Sequence, residues 1–162
     1  MGAVSALLAS MTATTEPLAE LGLFAAASVP ILFSDIREKR IPNIWVAVAA
    51  AAVLVVRLAW GRFGWWQLVD GCIGGGAVWL VWYASGERIG LGDAKLSALI
   101  AFLLGWRGWL VAFFLASFAG TVVAVASRRG NRGGAIAFAP FLCFGAVAAF
   151  WLQRPLWSMF AV

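Results

Sequence analysis

The stretch GLGDAKLSALIAFLLGW, residues 90–106, decides how many times this chain crosses a membrane. Its apolar part, residues 94–106, is short for a membrane span, because a helix that crosses ~30 Å of hydrocarbon needs roughly 20 mostly apolar residues. An acidic residue, Asp93, stands directly in front of it, in a chain that carries few charges. Both the short length and the aspartate need a physical explanation.

The composition is that of an integral membrane protein. Charged residues make up 12% of the chain, hydrophobic residues make up 64%, and there are ten Trp. Soluble domains lie far from these values. We therefore predict an all-α integral membrane protein with one polytopic domain over residues 1–162, in which residues 1–17 form a short N-terminal tail or an interfacial helix.

The residue types present also exclude several kinds of site. The chain has no His, and its two cysteines, Cys72 and Cys143, stand apart in apolar runs, which argues against a zinc site and a Cys/His catalytic pair. We expect no metal and no cofactor. The net charge of +5 is spread over loops between apolar runs, which fits contact with membrane lipid and not binding to nucleic acid.

Besides residues 94–106, five apolar runs are long enough to span, namely 18–34, 44–60, 68–84, 109–126 and 135–151. Six crossings, with a short fourth helix, place the loops DIREKR, GERIGLGDAK and SRRGNRGG on one side. That side then holds eight of the twelve Lys and Arg residues, which are Arg37, Lys39, Arg40, Arg88, Lys95, Arg128, Arg129 and Arg132. The other side holds Arg57, Arg62, Arg107 and Arg154. The positive-inside tendency therefore predicts that the three loops are cytoplasmic and both ends are outside.

Three further features bear on the packing of these spans. A one-sided aromatic belt at the outer interface is predicted at Trp60, Trp65, Trp66, Trp106, Trp109, Trp151 and Trp157. Gly71 and Gly75 form a GxxxG, extended by Gly74 and Gly76, which predicts close approach of a neighbouring helix. Pro140 lies inside an apolar run, where it is expected to free the carbonyl of Ile136 and kink the last span.

Two acids stand at the cytoplasmic ends of predicted spans, next to turn-forming residues. Asp35 ends the first span in FSDIREKRIPN, and Asp93 opens the fourth in GLGDAKL. Each has a structural alternative. Asp93 can cap its helix after a turn made by Gly90 and Gly92, and Asp35 can be an interfacial charge balanced by basic neighbours such as Arg37.

Taken together, the motifs DIREKRIPN, GLGDAKL and IAFAPFLCFGA resemble those of the type IV prepilin peptidases, membrane aspartyl proteases of the GxGD class. The resemblance covers residues ~20 to 150 and implies that Asp35 and Asp93 are the two catalytic aspartates. It assigns supporting positions to Gly90, Gly92, Lys95, Arg40, Pro42, Asn43 and Pro140. In the third motif Ala139 stands where a glycine is usual.

Two residues of the RIPN segment have expected local roles. Pro42 is expected to fix the turn, and Asn43 can cap the second span. The paired CxxC motifs of the bifunctional members have no counterpart here, so the chain looks like the short peptidases of Flp/Tad-type pilus systems. The resemblance therefore implies proteolysis without N-methylation.

The resemblance also implies the substrate and the place of the reaction. The substrate would be a prepilin or pseudopilin with a basic leader, cut at the cytoplasmic face of the bacterial inner membrane during pilus assembly and protein secretion. Two other readings of the residues stay open: a small ion- or proton-coupled transporter or channel subunit, and a non-catalytic assembly protein. The identity of the substrate, the oligomeric state and the distance between the two aspartates do not follow from the sequence.

Overall fold

The computed structural model describes residues 2–38, 41–84, 90–129 and 138–160, and describes side chains over residues 18–38, 41–84, 90–126 and 138–152. Within these ranges the chain is helical and contains no strand, as predicted. The helices are α1 (Gly2–Glu38), α2 (Asn43–Ala59), α3 (Trp65–Ala84), α4 (Leu91–Arg129) and α5 (Ala139–Phe160). Residues 2–17 are continuous with the rest of α1.

Helix α4 reverses its direction at Gly105. This residue has φ 76° and ψ 163°, a conformation that is nearly restricted to glycine. Asp93 and Ala124 line one cleft, although a straight helix would separate them by about 46 Å at 1.5 Å per residue. The first limb (residues 91–104) and the second limb (residues 106–129) therefore run side by side in opposite directions, which gives six helical segments in the described residues.

The first limb of α4 is short, and the rest of the protein surrounds it. Leu96, Ser97, Ile100 and Ala101 are fully buried. Helices α2, α3 and α5 all pack against α4. Protein contacts therefore explain how a helix too short to cross a bilayer alone can be accommodated.

Helix α3 lies against the first limb through its glycines. A Cβ atom on Gly71 would stand 3.3 Å from the carbonyl oxygen of Ala98, and one on Gly75 would stand 2.8 Å from the Ala98 Cβ. Gly74 faces Ala101 in the same way, whereas Gly76 has open space beside it. The predicted close approach of a helix is confirmed, with Gly76 outside the contact.

Two segments of the described chain, residues 18–38 and 91–126, are apolar and long enough to cross a membrane. Shorter apolar helices cover residues 43–59 and 139–152. The number of crossings and the side on which the ends lie stay predictions. The prediction that Trp109 belongs to the aromatic belt was wrong. Its side chain is 4% exposed and packs on Phe113, with the ring centroids 5.5 Å apart.

The prediction of a kink at Pro140 was also wrong. Helix α5 begins at Ala139, and the carbonyl of Phe138 accepts its first hydrogen bonds, from the N–H groups of Phe141 and Leu142. Pro140 therefore lies in the first turn, where the missing N–H removes no helical hydrogen bond. Ile136, whose carbonyl was expected to be freed, lies outside the described residues, as does the predicted start of this span at residue 135.

A buried ion pair lies at the C-terminal end of the first limb of α4, the end that is remote from Asp93. Arg57 donates to Oε2 of Glu20 at 2.8 and 3.1 Å, and both side chains are 7% exposed. The same guanidinium donates to the carbonyl oxygens of Phe102 at 2.6 Å and Leu103 at 2.8 Å. These are carbonyls of the last turn before Gly105, which have no partner within their own helix.

Candidate active site

Asp35 is held at the junction of two helices. It lies in the last turn of α1 and is 6% exposed. Its Oδ2 accepts a hydrogen bond of 3.1 Å from the backbone N–H of Ala139, the first residue of α5. An N–H group in the first turn of a helix has no partner within that helix, and the positive end of the helix dipole favours an acidic neighbour. The carboxyl group therefore caps α5.

The carboxyl group of Asp93 also lies at the start of a helix, in this case its own helix α4. It is the third residue of that helix and is 7% exposed. Its N–H donates to the carbonyl oxygen of Gly90 at 3.0 Å, and the backbone of Gly90 hydrogen-bonds to its carboxyl group. The predicted turn needs a correction, because only Gly90 precedes the helix and Gly92 already belongs to its first turn.

The structure brings the two aspartates together. They lie 58 positions apart in the sequence, yet the charge of Asp35 acts on the carboxyl group of Asp93. Phe138, which precedes the residue bound by Asp35, lines the same cleft as Asp93 and Gly90. The result is a pair of interacting, buried carboxyl groups, each bonded to backbone at the start of a helix, beside a cleft of about 440 Å³.

Gly92 lets the segment after Asp35 pack on the start of α4. A Cβ atom on Gly92 would stand 2.7 Å from Cβ of Ile41 and 3.0 Å from its Cγ1. Only a residue without a side chain allows this approach. The contact joins the RIPN segment directly to the turn of helix that carries Asp93, and Ile41 is a site residue that the sequence analysis missed.

A second contact joins the same two segments. Nζ of Lys95 donates a 2.7 Å hydrogen bond to Oδ1 of Asn43. The expectation that Asn43 caps α2 is therefore wrong: Pro42 is the N-cap residue, no side-chain hydrogen bond caps the helix, and Asn43 lies inside its first turn. Pro42 has φ −67° and its carbonyl accepts from the N–H of Trp45 at 3.2 Å, so it shapes the turn as expected. Arg40 lies outside the described residues.

The sequence analysis also missed a polar contact between α1 and α5 near Asp35. Ser28 donates to the carbonyl oxygen of Phe24 at 2.7 Å and hydrogen-bonds to the thiol of Cys143, which the charge of Asp35 reaches. Cys143 is four residues after Ala139, one helical turn further along α5. The contact between Ser28 and Cys143 therefore joins α1 to α5 one turn away from the hydrogen bond of Asp35. Neither residue type signals such a pairing in the sequence.

Among the residues that the structure describes, no three His, Cys, Asp or Glu side chains stand together as a group that could hold a metal ion. The site consists of the two carboxyl groups and the backbone around them. Buried, interacting carboxyl groups can share a proton, which allows one to act as a base and the other as an acid.

Comparisons with known proteins bear on this arrangement. Neither the curated proteins nor the solved structures include a match to this chain. A model of the type IV leader peptidase family matches residues 22–125, which include both aspartates and end before Pro140. Because this match covers more than half of the sequence, the chain belongs to the type IV leader peptidase family.

Proposed function

We propose that this protein is an aspartyl endopeptidase that removes the basic leader from type IV prepilins or pseudopilins. Asp35 and Asp93 form its catalytic pair, and the cut is made at the cytoplasmic face of the bacterial inner membrane. The observation that carries the proposal is the convergence of these two buried carboxyl groups in a chain of the leader peptidase family.

The proposed reaction is hydrolysis of one peptide bond by a water molecule. The ionised carboxylate takes a proton from water as its oxygen bonds to the scissile carbonyl carbon, and the protonated carboxyl group donates to the carbonyl oxygen. As this tetrahedral intermediate collapses, the former carbonyl oxygen returns its proton to the carboxylate that donated it, the C–N bond breaks, and the other carboxyl group gives the proton taken from water to the departing amine. Each carboxyl group thus ends the turnover in the protonation state in which it began.

Either aspartate can take either role. Two adjacent like charges cannot both ionise cheaply, so the pair retains one proton. The positive end of a helix dipole acts on both, through α5 for Asp35 and through α4 for Asp93, and the negative end of α1 also acts on Asp35, which lies in its last turn. Because the two effects on Asp35 oppose each other, the retained proton belongs to the pair and not to one residue.

The predicted topology supports the proposed place of the cut. Both aspartates stand at the ends of helices that adjoin the basic loops, and the positive-inside tendency assigns those loops to the cytoplasm. A substrate with a cytoplasmic basic leader and an apolar helix in the bilayer would present its junction at this depth. The lack of paired CxxC motifs in the sequence supports cleavage without methyl transfer.

The test is cleavage of candidate prepilins by the purified protein in detergent, read by mass spectrometry. Asp35→Asn and Asp93→Asn keep the size of each side chain but remove the ionisable group. Asp70→Asn is the matched control, because Asp70 lies at the other end of the first limb, with Oδ2 3.6 Å from a Cβ built on Gly105.

We expect the wild type and Asp70→Asn to shorten the substrate at the leader junction without adding the mass of a methyl group. Each of the other two variants should lose at least about 10³-fold in rate, since a catalytic group that acts as part of a unit leaves little activity when it is removed. Cleavage at the wild-type rate by both Asn variants would show that the proposed pair is wrong.

A further inference from the structure

The cleft that contains Asp93 has a second polar feature. Its walls come mainly from α3, through Val78 and Val81, and from the second limb of α4. Most of these wall residues are apolar. On the second limb, however, Ser117 and Thr121 also line the cleft, and they stand one helical turn apart.

The cleft is long enough to hold more than the scissile bond. Its residues on the second limb extend from Phe113 to Ala124, which corresponds to about 16 Å at 1.5 Å per residue. An extended peptide covers that distance with about five residues at 3.3 Å each. Asp93, twelve residues before the reversal at Gly105, lies level with Ser117, twelve residues after it, so the proposed reaction occurs near the middle of the cleft.

A substrate helix must unwind before a carboxyl pair can reach one of its peptide bonds. Unwinding releases backbone N–H and C=O groups from their helical partners, and each unsatisfied group costs several kcal/mol in an apolar environment. An apolar wall cannot replace those hydrogen bonds. Hydroxyl groups in the wall can.

We propose that Ser117 and Thr121 bind the unwound backbone of the substrate beside the scissile bond. This inference rests on the proposed function and identifies which part of the prepilin occupies the cleft: about five residues around the cut, in extended form. The basic residues of the leader lie outside the cleft, because most of the residues that line the cleft are apolar.

The geometry of the two hydroxyl groups suits this role. Thr121 Oγ1 donates to the carbonyl oxygen of Ser117 at 2.7 Å, which directs its hydrogen into its own helix and leaves its lone pairs to accept from a substrate N–H. Ser117 adds a hydroxyl that can donate to a substrate carbonyl. One acceptor and one donor then match the alternating groups of an extended peptide.

The test combines isosteric variants of the protein with backbone-altered substrates. Thr121→Val removes the hydroxyl at nearly constant shape, Ser117→Ala removes the other, and Thr121→Ser restores a hydroxyl. Val123→Thr is the control, since Val123 is exposed on the same limb and is not among the residues of this cleft. In each synthetic prepilin peptide an ester replaces one backbone amide, at one of the five positions nearest the scissile bond.

With the normal substrate, we expect Thr121→Val to lower kcat/KM by about 3- to 10-fold, the effect of losing one neutral hydrogen bond. Thr121→Ser should recover most of this loss, and Val123→Thr should match the wild type. One ester position should impair cleavage by the wild type while causing no further loss with Thr121→Val, because the same hydrogen bond is already gone.

Two different failures can be told apart. If cleavage depends on Asp35 and Asp93 but Thr121→Val and Ser117→Ala cleave every peptide as the wild type does, the backbone-binding role is overturned and the peptidase assignment stands. If cleavage survives Asp35→Asn and Asp93→Asn, the proposed function itself is wrong. Additive losses from the ester and from Thr121→Val would also overturn the inferred hydrogen bond.

Discussion

Oδ2 of Asp35 accepts the backbone N–H of Ala139 at 3.1 Å, across 104 positions of the sequence. This bond places one proposed catalytic carboxyl group at the start of α5 and ties the third motif to the first. Pro140, the next residue, has no N–H of its own, so Ala139 supplies a donor that its neighbour cannot. The third motif therefore contributes a backbone group and a helix start, and not a kink.

Deleting this hydrogen bond should impair the reaction. Ala139→Pro removes the N–H while keeping a residue that is favoured in the first turn of a helix. A hydrogen bond to a charged group contributes about 1.5–3 kcal/mol, so we expect kcat/KM to fall by roughly 10- to 150-fold. Cleavage of a prepilin by purified protein measures the effect, with circular dichroism to verify the helical content.

Ala139→Gly is the matched control, because glycine keeps the N–H. Glycine is also the residue usual at this position of the third motif in the type IV prepilin peptidases. Its rate should stay within a few-fold of the wild type. Equal rates for Ala139→Pro and Ala139→Gly, with native helical content in both, would mean that the N–H of residue 139 plays no part in catalysis.

The two glycines of the GLGD motif should respond differently to alanine. A Cβ atom on Gly92 would stand 2.7 Å from Cβ of Ile41, whereas the nearest atom to one on Gly90 is Oδ2 of Asp93 at 3.5 Å. We expect Gly92→Ala to displace the RIPN segment and to lose most of the activity. Gly90→Ala, at an ordinary contact distance, should retain much more.

A second substitution separates crowding from other effects of the alanine. Ile41→Gly removes the three atoms that lie nearest to a Cβ on Gly92, so Ile41→Gly/Gly92→Ala should be more active than Gly92→Ala alone. Prepilin cleavage rates and thermal unfolding in detergent both report the coupling. Purely additive losses would indicate that this contact does not connect the two motifs.

The apolar runs predicted the helical segments well because hydrophobicity and the length of an apolar run are local properties of the sequence. The short fourth segment was predicted in the same way, and the structure explains it by the reversal at Gly105 and by protein packing. What local pattern could not predict is which groups meet. Asn43 was assigned to its own helix and bonds Lys95 instead, and Pro140 was assigned to a helix interior and lies in a first turn.

The face of α3 that carries Gly71, Gly74 and Gly75 packs on the first limb of α4 and offers a test of stability that is independent of catalysis. A Cβ on Gly74 would overlap Cβ of Ala101 and lie 3.0 Å from the carbonyl oxygen of Ser97, while Gly76 has nothing within 4 Å. Gly74→Ala should therefore destabilise the protein by about 1–3 kcal/mol, the usual cost of overpacking. Gly76→Ala should stabilise it by up to about 1 kcal/mol, because alanine has fewer unfolded conformations than glycine.

Both variants are measured by denaturant unfolding in mixed micelles with the wild type as reference. The opposite signs are the informative result, because the two glycines are two residues apart in one helix and share its general propensities. If both variants shift stability in the same direction by the same amount, helix propensity and not the contact with the first limb of α4 governs this face.

The buried pair of Arg57 and Glu20 should be the most sensitive ionic contact among the described residues. Arg57 donates to Glu20 and to two carbonyl oxygens at the end of the first limb of α4. Arg57→Met leaves a buried carboxylate without its partner, and we expect a loss of about 3–5 kcal/mol in the free energy of unfolding. Arg62→Ala, at an exposed position, should lower it by much less, because the interactions of an exposed charge contribute about 1 kcal/mol or less.

The double variant Arg57→Met/Glu20→Met separates the ion pair from the capping of the limb. Replacing both charges with apolar side chains removes the unpaired carboxylate, so much of the loss should be recovered. Recovery should be incomplete, because the carbonyls of Phe102 and Leu103 have still lost their donor and an unsatisfied buried group costs about 1–3 kcal/mol. Full recovery would show that Arg57 serves only to neutralise Glu20, and a loss equal to that of Arg57→Met would show that capping the limb is its entire role.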